Sequence, residues 1–167
     1  MNYVIRPAVK DDEPFLWEML YYAAHMEEDG EISSQAAKNN PDLIKYVKDW
    51  GHETDVGCIA LEPGSNQPIG AAWIRLLTGN EKTISYVNDV IPELAIAVLP
   101  AYLGSGVGTQ LLKQVLEAAK KRYSSVVLSV RATNPAKQLY ERMGFVIFGE
   151  TINRVGTASL NMLIHLL

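Results

Sequence analysis

Three glycines at alternate positions follow an apolar stretch and precede a predicted helix. Residues 94–109 read LAIAVLPAYLGSGVGT, with the glycines at Gly104, Gly106 and Gly108. The first turn of a helix leaves backbone N–H groups unpaired, and the helix dipole adds partial positive charge there. Because glycine has no Cβ, an anion can approach this backbone closely. The pattern therefore predicts a turn that binds a phosphate group.

Two nucleotide-binding motifs share part of this pattern without matching it. The dinucleotide fingerprint needs its third glycine three residues after the second, and Gly108 comes one residue too early. The next predicted strand ends at Arg131, not at the carboxylate that would hold a ribose. A P-loop needs a lysine before its Ser or Thr, whereas Gly108 directly precedes Thr109. A nucleotide-dependent enzyme is disfavoured, and a tight turn without a ligand remains the other interpretation.

A second segment, residues 134–145, decides between these interpretations. It reads NPAKQLYERMGF. Together with the glycine turn it resembles the GNAT superfamily of N-acetyltransferases, in which a Gln/Arg-x-x-Gly-x-Gly/Ala loop precedes an Asn…Leu-Tyr-x-x-x-Gly-Phe unit. The resemblance covers residues 92–150 in motif and the whole chain in the order of its elements.

Two positions depart from the pattern of that family. Leu103 stands where the family usually has Gln or Arg, and no Lys or Arg follows before Leu112. The resemblance therefore implies that a pyrophosphate is held by backbone amides and the helix dipole. The family's Asn, seven residues before Tyr140, falls on Thr133, and Asn134 lies one residue later. Asn134 is also the expected N-cap of the following helix.

The resemblance implies acetyl-coenzyme A as the cosubstrate and no metal ion. It also implies that the backbone N–H of Val98 contacts the oxyanion, beside a bulge or splay in the strand. The residues that it assigns to acetyl-coenzyme A are Ile96, Ala97, Val98, Gly104, Ser105, Gly106, Val107, Gly108, Thr109, Asn134 and Tyr140.

Acetyl transfer to an amine sets three chemical requirements. A lysine-like amine has a pKa near 10.4, so losing its proton at pH 7 costs about 4–5 kcal/mol. Attack on a thioester then places negative charge on the carbonyl oxygen and expels a thiolate. The site therefore needs a proton acceptor, a hydrogen-bond donor to that oxygen and a proton source for the sulfur.

Glu93 is the candidate base and Tyr140 the candidate acid. On an extended strand Glu93 shares a face with the small residues Ala95 and Ala97, which leave room beside it. The resemblance implies that such a glutamate works through a chain of water molecules; a glutamate solvated at a strand end is the alternative. Tyr140 matches the family motif, which implies that it protonates the thiolate; a core tyrosine is the alternative.

Aromatic side chains mark one face of the first predicted helix. Trp17, Tyr21, Ala24 and Glu28 follow at steps of four, three and four, opposite the core face. We hypothesise that Trp17, Tyr21 and Glu28 line a pocket for a cationic amine with an apolar body. Packing of the aromatics on the second predicted helix or on a partner subunit is the alternative.

Hydrophobic periodicity predicts the element order β-α-α-β-β-β-α-β-α-β-β. The predicted strands are residues 3–6, 56–61, 69–77, 94–99, 126–130, 145–148 and 160–164, and the helices are residues 11–26, 40–51, 107–123 and 134–143. Residues 78–92 contain no predicted element. The order predicts an α/β fold, and the resemblance implies a mixed, mostly antiparallel central sheet with helices on both faces.

Composition narrows the classes of protein to consider. The 167 residues have a net charge of −4, which gives no basic face for nucleic acid. One cysteine, Cys58, excludes an internal disulfide, and His25, His52 and His165 lack the spacing of metal ligands. No apolar stretch approaches the ~20 residues of a membrane helix, and the first residues lack a signal-peptide pattern. We expect a single cytoplasmic domain over residues 1–167, without nucleic-acid, membrane or metal partners.

The resemblance thus implies an acetyl-coenzyme A-dependent N-acetyltransferase. Its acceptor is expected to be the primary amine of a small molecule or a peptide. The alternative is a non-catalytic module of the same fold that binds coenzyme A without turnover. The final strand and the apolar Leu166-Leu167 would also allow a homodimer.

Overall fold

Seven strands and three α-helices form the regular structure of residues 3–167, the part of the chain that this computed structural model describes. They are β1 (Val4–Pro7), α1 (Glu13–Ala23), β2 (Val56–Leu61), β3 (Pro68–Arg75), β4 (Glu93–Val98), α2 (Val107–Ala119), β5 (Ser125–Arg131), α3 (Ala136–Met143), β6 (Val146–Ile152) and β7 (Ala158–His165). All seven predicted strands are present, and β6 is longer than the sequence pattern indicates.

The strands form one sheet in the order β1-β2-β3-β4-β5-β7-β6. Every neighbouring pair is antiparallel except β4 and β5, which are parallel. Parallel neighbours need a crossover connection, and α2 provides it. The mixed, mostly antiparallel sheet that the resemblance implied is confirmed.

Helices cover both faces of this sheet. α2 buries Leu111 and Val115 completely against one face, and Tyr140 of α3 joins the same apolar core. On the other face, Leu16 of α1 packs in a second core with Trp73 of β3. Within residues 3–167, no helix is long and apolar enough to cross a lipid bilayer.

The first helix is shorter than predicted. The pattern indicates a helix to about Met26, whereas α1 ends at Ala23. His25 adopts a left-handed conformation with a φ of 57°, which a right-handed helix cannot contain. A non-glycine residue ends the helix here, so the sequence offers no glycine to mark the boundary.

The second predicted helix, residues 40–51, is wrong. This part of the chain forms the short 3₁₀ turns Ala36–Asn39 and Ile44–Tyr46, joined by irregular turns. Asp49 follows with a φ of 60°, another left-handed residue. The residue types favour a helix, but the segment is held in a different conformation by its tertiary contacts.

Side chains of β3 donate hydrogen bonds to the backbone carbonyls that would accept helical hydrogen bonds if this segment were an α-helix. Arg75 Nη1 donates to the carbonyl oxygens of Lys45 and Lys48, at 3.1 and 2.6 Å. Trp73 Nε1 donates to the carbonyl oxygen of Tyr46 at 3.0 Å. In an α-helix these oxygens would accept from N–H groups four residues later, so tertiary hydrogen bonds replace helical ones.

Candidate active site

A cleft opens where β4 and β5 separate. Their pairing consists of one register pair, Glu93 with Val127, near the start of both strands. β4 stays paired with β3 along its whole length, from Glu93 to Val98. The two central strands therefore splay apart after Glu93, as the resemblance implied for the strand around Val98.

The splay leaves backbone N–H groups of β4 facing the cleft. Just beyond β4, the N–H of Leu99 donates to the carbonyl of Ile69 at 2.8 Å. This hydrogen bond shows which residues of β4 are hydrogen-bonded to β3. Bonded positions alternate in an antiparallel ladder, so the N–H groups of Ile96 and Val98 point away from β3. Because β5 has moved away, these two amides can donate to an oxygen atom in the cleft.

Gly104 and Gly106 shape the turn from β4 into α2. Their φ angles are 77° and 90°, in the region that favours glycine. A Cβ at either position would meet nothing within 4 Å, so open space lies beside this backbone. The N–H of Gln110 donates to the carbonyl of Gly106, whereas residues 107–109 lie in the first turn, before any intrahelical bond. Among residues 3–167 no backbone carbonyl accepts from these three N–H groups, so they can bind an anion.

A cleft of about 1170 Å³ runs from this glycine turn along the splayed strands to Glu93. The predicted site residues that line it are Glu28, Glu93, Ile96, Ala97, Val98, Gly104, Gly106, Val107, Gly108, Thr109, Asn134 and Tyr140. Ser105 is not among the lining residues, and its hydroxyl donates to the carbonyl of Tyr102. The two separated sequence motifs thus meet at one cavity.

Glu93 lies in the cleft wall although it is only 6% exposed. Three hydroxyl groups donate to its carboxylate: that of Tyr46 to Oε2, and those of Thr83 and Ser85 to Oε1. Burial raises the pKa of Glu93, while these hydrogen bonds and the charge of Lys45 oppose the rise. Glu93 is therefore a buried, hydrogen-bonded carboxyl rather than a glutamate solvated at a strand end.

Tyr140 lies on the same cleft, with its ring in the core. The ring packs edge-on against Phe145 at a centroid distance of 5.9 Å. Burial raises the pKa of Tyr140 to about 12, so its hydroxyl keeps its proton at neutral pH. Within residues 3–167 this hydroxyl makes no hydrogen bond, which leaves its proton available to a group in the cleft. Tyr140 is thus both a core residue and a cleft residue.

Asn134 links α3 to the opposite wall of the cleft. Its Oδ1 accepts from the backbone N–H of Ala136 at 2.9 Å, although the N-cap of α3 is Pro135 and not the predicted Asn134. Its amide nitrogen lies 3.1 Å from His25 Nε2. Thr133 does not line the cleft. Of the two residues that could match the family's Asn, Asn134 is the one in position to contact a ligand.

An ionic cluster ties the end of α1 to β5 and to the turn between β6 and β7. Asp29 accepts two hydrogen bonds from Arg131, at 2.9 and 2.8 Å, and one from Arg154 at 3.1 Å. Both arginines also donate to the carbonyl of Ala24. The hydrogen bonds from Arg131 hold the pKa of Asp29 below its usual value. The cluster fixes the wall in which Glu28 lies.

Trp17 and Tyr21 lie in the core rather than in the cleft wall. They are 6% and 5% exposed, and they pack with Leu43 and its neighbours in the turns after α1. This is the packing alternative stated above, because residues 36–50 cover the second apolar face of α1. Of the three predicted acceptor residues, Glu28 alone lines the cleft, together with the unpredicted aromatic Tyr22.

Sequence reasoning missed both the hydroxyl groups on Glu93 and the ionic cluster. Tyr46 is 47 positions from Glu93 along the chain, and Asp29 is 102 positions from Arg131. No periodicity or motif marks residues that the fold joins over such distances. Among the described residues, no three His, Cys, Asp or Glu side chains are grouped so as to hold a metal ion.

Comparison with known sequences gives a family match over most of the chain. The sequence profile of the Acetyltransferase (GNAT) family matches residues 11–145. A curated relative, the ribosomal protein bS18-alanine N-acetyltransferase of Haemophilus influenzae, is 43% identical over 51 residues. That match spans 30% of this chain and 35% of the relative.

Solved structures share the fold over nearly the whole chain. A chimera of the Vibrio cholerae spermidine N-acetyltransferase SpeG and hSSAT has a TM-score of 0.68 at 20% identity, covering 99% of this chain and 96% of that one. The yncA protein of Salmonella typhimurium, solved with its cofactor acetyl-CoA, has a TM-score of 0.67 at 18% identity, covering 100% and 95%. The ribosomal-protein-S18-alanine N-acetyltransferase of Escherichia coli has a TM-score of 0.64 at 20% identity, covering 99% and 94%.

Proposed function

This chain belongs to the Acetyltransferase (GNAT) family, and from that premise we propose that it transfers the acetyl group of acetyl-coenzyme A to a primary amine of a small molecule or peptide. The proposal rests on one observation: a single cleft connects the free amides of the glycine turn to the buried carboxyl of Glu93. An acetyltransferase needs this arrangement, because the carrier and the proton acceptor must meet at the reacting amine.

The groups in the cleft fit acetyl-coenzyme A. The N–H groups of residues 107–109 would hold its diphosphate, beside the open space at Gly104 and Gly106. Leu103 is 69% exposed and supplies no charge, so amides and the helix dipole would provide the binding energy. When bound, acetyl-coenzyme A supplies the activated acetyl group, and the N–H groups of Ile96 and Val98 would hold its thioester end along β4.

Glu93 would accept the proton that the acceptor amine must lose. Removing that proton from a lysine-like amine at pH 7 costs about 4–5 kcal/mol. Burial raises the pKa of Glu93, which narrows the difference between the pKa values of the amine and the carboxyl and makes proton transfer between them less unfavourable. The N–H of Val98 would donate to the carbonyl oxygen as negative charge develops on it.

The variant Tyr140→Phe tests whether the Tyr140 hydroxyl protonates the departing thiolate. We expect kcat to fall about tenfold to a hundredfold, because the departing sulfur loses its proton donor. The unfolding free energy should stay the same, since within residues 3–167 the hydroxyl makes no hydrogen bond. Steady-state kinetics and urea unfolding measure the two quantities. An unchanged kcat would return Tyr140 to a packing role alone.

The acceptor end of the cleft is partly acidic. Glu27 and Glu28 line it beyond the end of α1, with Tyr22, and Asp42, Lys45 and Lys82 line it as well. The carboxylates and the ring of Tyr22 favour a cationic amine with an apolar body. The relatives described above are named for the alanine of a ribosomal protein and for spermidine, so both kinds of amine are candidates for this chain.

Release of free thiol from acetyl-coenzyme A tests the proposed function. The acceptors are polyamines, amino acids, aminoglycosides and short peptides, including one that begins with alanine. Thiol release that depends on an added amine, with the acetylated amine identified by mass spectrometry, supports the proposal. Binding of coenzyme A without turnover of any amine would instead indicate the non-catalytic module.

A further inference from the structure

Two of the three hydroxyl groups that donate to Glu93, those of Tyr46 and Thr83, belong to residues that line the cleft. The hydroxyl of Tyr46 donates to Glu93 Oε2 at 2.5 Å, and Tyr46 itself lines the cleft. Ser85, on the other carboxylate oxygen, is completely buried and does not line the cleft. Glu93 lines the same cleft but is only 6% exposed, and its Oε2 is hydrogen-bonded to Tyr46.

We propose that Tyr46 is a catalytic residue that passes the proton of the acceptor amine to Glu93. The inference rests on the proposed function and deepens it, because it replaces the expected water chain with a side chain. The positively charged amine donates to Tyr46 Oη, and Tyr46 Oη donates to Glu93 Oε2. As the N–H bond breaks, a new O–H bond forms on Tyr46, and the former Tyr46 proton bonds to Glu93. Tyr46 ends neutral, Glu93 ends protonated, and the amine is free to attack.

Of the hydroxyl groups that donate to Glu93, the one of Thr83 also belongs to a residue of the cleft wall, and its contacts make it a poorer route. Its oxygen already accepts from the backbone N–H of Ser85 at 3.2 Å, and its single proton is directed at Glu93 Oε1. It also makes a hydrogen bond with the Tyr46 hydroxyl, which opposes the rise in the pKa of Tyr46 that burial causes. A phenolic oxygen has two acceptor lone pairs, so Tyr46 Oη keeps at least one for a donor in the cleft despite its contact with Thr83.

Hydrogen bonds from side chains of β3 fix the backbone around Tyr46. Trp73 Nε1 binds the backbone carbonyl of Tyr46, and Arg75 binds the carbonyls of Lys45 and Lys48 on either side. Arg75 is itself fixed by a buried ion pair with Asp55, at 3.0 Å. These contacts fix the backbone of a segment that has no helix of its own. A relay needs that precision, because proton transfer requires hydrogen-bond distance at both steps.

Several charged groups share this part of the cleft. Lys45 and Asp42 lie on the same turn segment, Lys82 lies just before Thr83, and Glu27 lies beyond the end of α1. Burial raises the pKa of Glu93, and the charge of Lys45 opposes that rise and favours the ionised form. A carboxylate that is ionised before the amine binds can receive the proton.

Tyr46→Phe tests the relay through its pH dependence. With an acceptor from the thiol-release assay, kcat/KM of the variant at pH 7 should fall about a hundredfold below wild type. The variant can use only amine that is already neutral, so its deficit should shrink by about tenfold per pH unit as the pH approaches the amine pKa. The Kd for acetyl-coenzyme A should not change. A merely structural effect of the missing hydroxyl would not be reversed by raising the pH.

Tyr123→Phe is the matched control. The Tyr123 hydroxyl donates to the carbonyl of Thr54, outside the cleft, so this variant should retain wild-type kcat/KM at every pH. A Tyr46→Phe deficit that stays constant with pH, or no deficit at all, would overturn the relay while wild-type turnover leaves the proposed function intact. If wild-type protein acetylates no amine, the proposed function fails and the relay fails with it.

Discussion

Replacing Glu93 with glutamine is expected to lower kcat about a thousandfold and to leave the Kd for acetyl-coenzyme A unchanged. Glutamine keeps the volume and one acceptor oxygen for the surrounding hydroxyl groups, but it cannot take up a proton at neutral pH. The amine would then remain protonated in the cleft and could not attack. Thiol-release kinetics measure kcat, and calorimetric titration measures the Kd.

Glu150→Gln is the matched control for this substitution. Glu150 lies exposed on β6, outside the cleft, so its variant should keep wild-type kcat. If Glu93→Gln also kept wild-type kcat and pH–rate profile, Glu93 would be excluded as the base.

The shifted pKa of Glu93 should also make the free energy of unfolding depend on pH. Burial raises the pKa of Glu93 in the folded protein above its value in the unfolded chain. The resulting stabilisation is fully present below the unfolded pKa and is lost as the pH rises through the folded pKa. Relative to Glu93→Gln, wild-type protein should therefore lose unfolding free energy over that pH range, as urea unfolding at a series of pH values would reveal.

Local signals in the sequence predicted what depends on short-range geometry. The left-handed turns at Gly104 and Gly106 each need a glycine, and Gly144 ends α3 with a φ of 109° for the same reason. The alternation along β4 predicts that Glu93 shares a face with Ala95 and Ala97, and all three lie on the side of the sheet that carries Tyr46. Such features depend on a few neighbouring residues, so a single sequence is enough to recognise them.

The features that the sequence did not predict depend on contacts between segments far apart in the chain. Tyr46 reaches Glu93 because Trp73 and Arg75 take backbone carbonyls that a helix would otherwise use. For Trp17 the sequence left open a cleft pocket or packing on the second predicted helix, and the structure shows packing on that segment, which forms turns instead of a helix. An apolar residue on a helix indicates burial, but it does not indicate which segment buries it.

The glycine turn provides the second large prediction. Gly108→Val is expected to raise the Kd for acetyl-coenzyme A about a hundredfold, which corresponds to about 2.7 kcal/mol of lost binding free energy. Gly108 lies in the first turn of α2 and lines the cleft, so a branched side chain there would occupy space beside the free amides. An anion could no longer approach them closely.

The same substitution should leave the fold intact. A Cβ at position 108 would meet only Val98 Cγ2, at 3.9 Å, which is an ordinary contact. Valine is also a better helix former than glycine. The melting temperature without ligand should therefore stay at or above the wild-type value, while the rise that acetyl-coenzyme A causes in wild type should largely disappear.

Gln114→Val places the same side chain on the exposed face of α2 and serves as the control for Gly108→Val. It should keep both the wild-type Kd and the ligand-induced rise in melting temperature. Unaltered binding in Gly108→Val would mean that the diphosphate does not lie against the start of α2. Because Leu103 is uncharged, the turn has no cationic side chain that could bind the diphosphate in place of the backbone amides. Loss of the amide contacts should therefore show directly in the Kd.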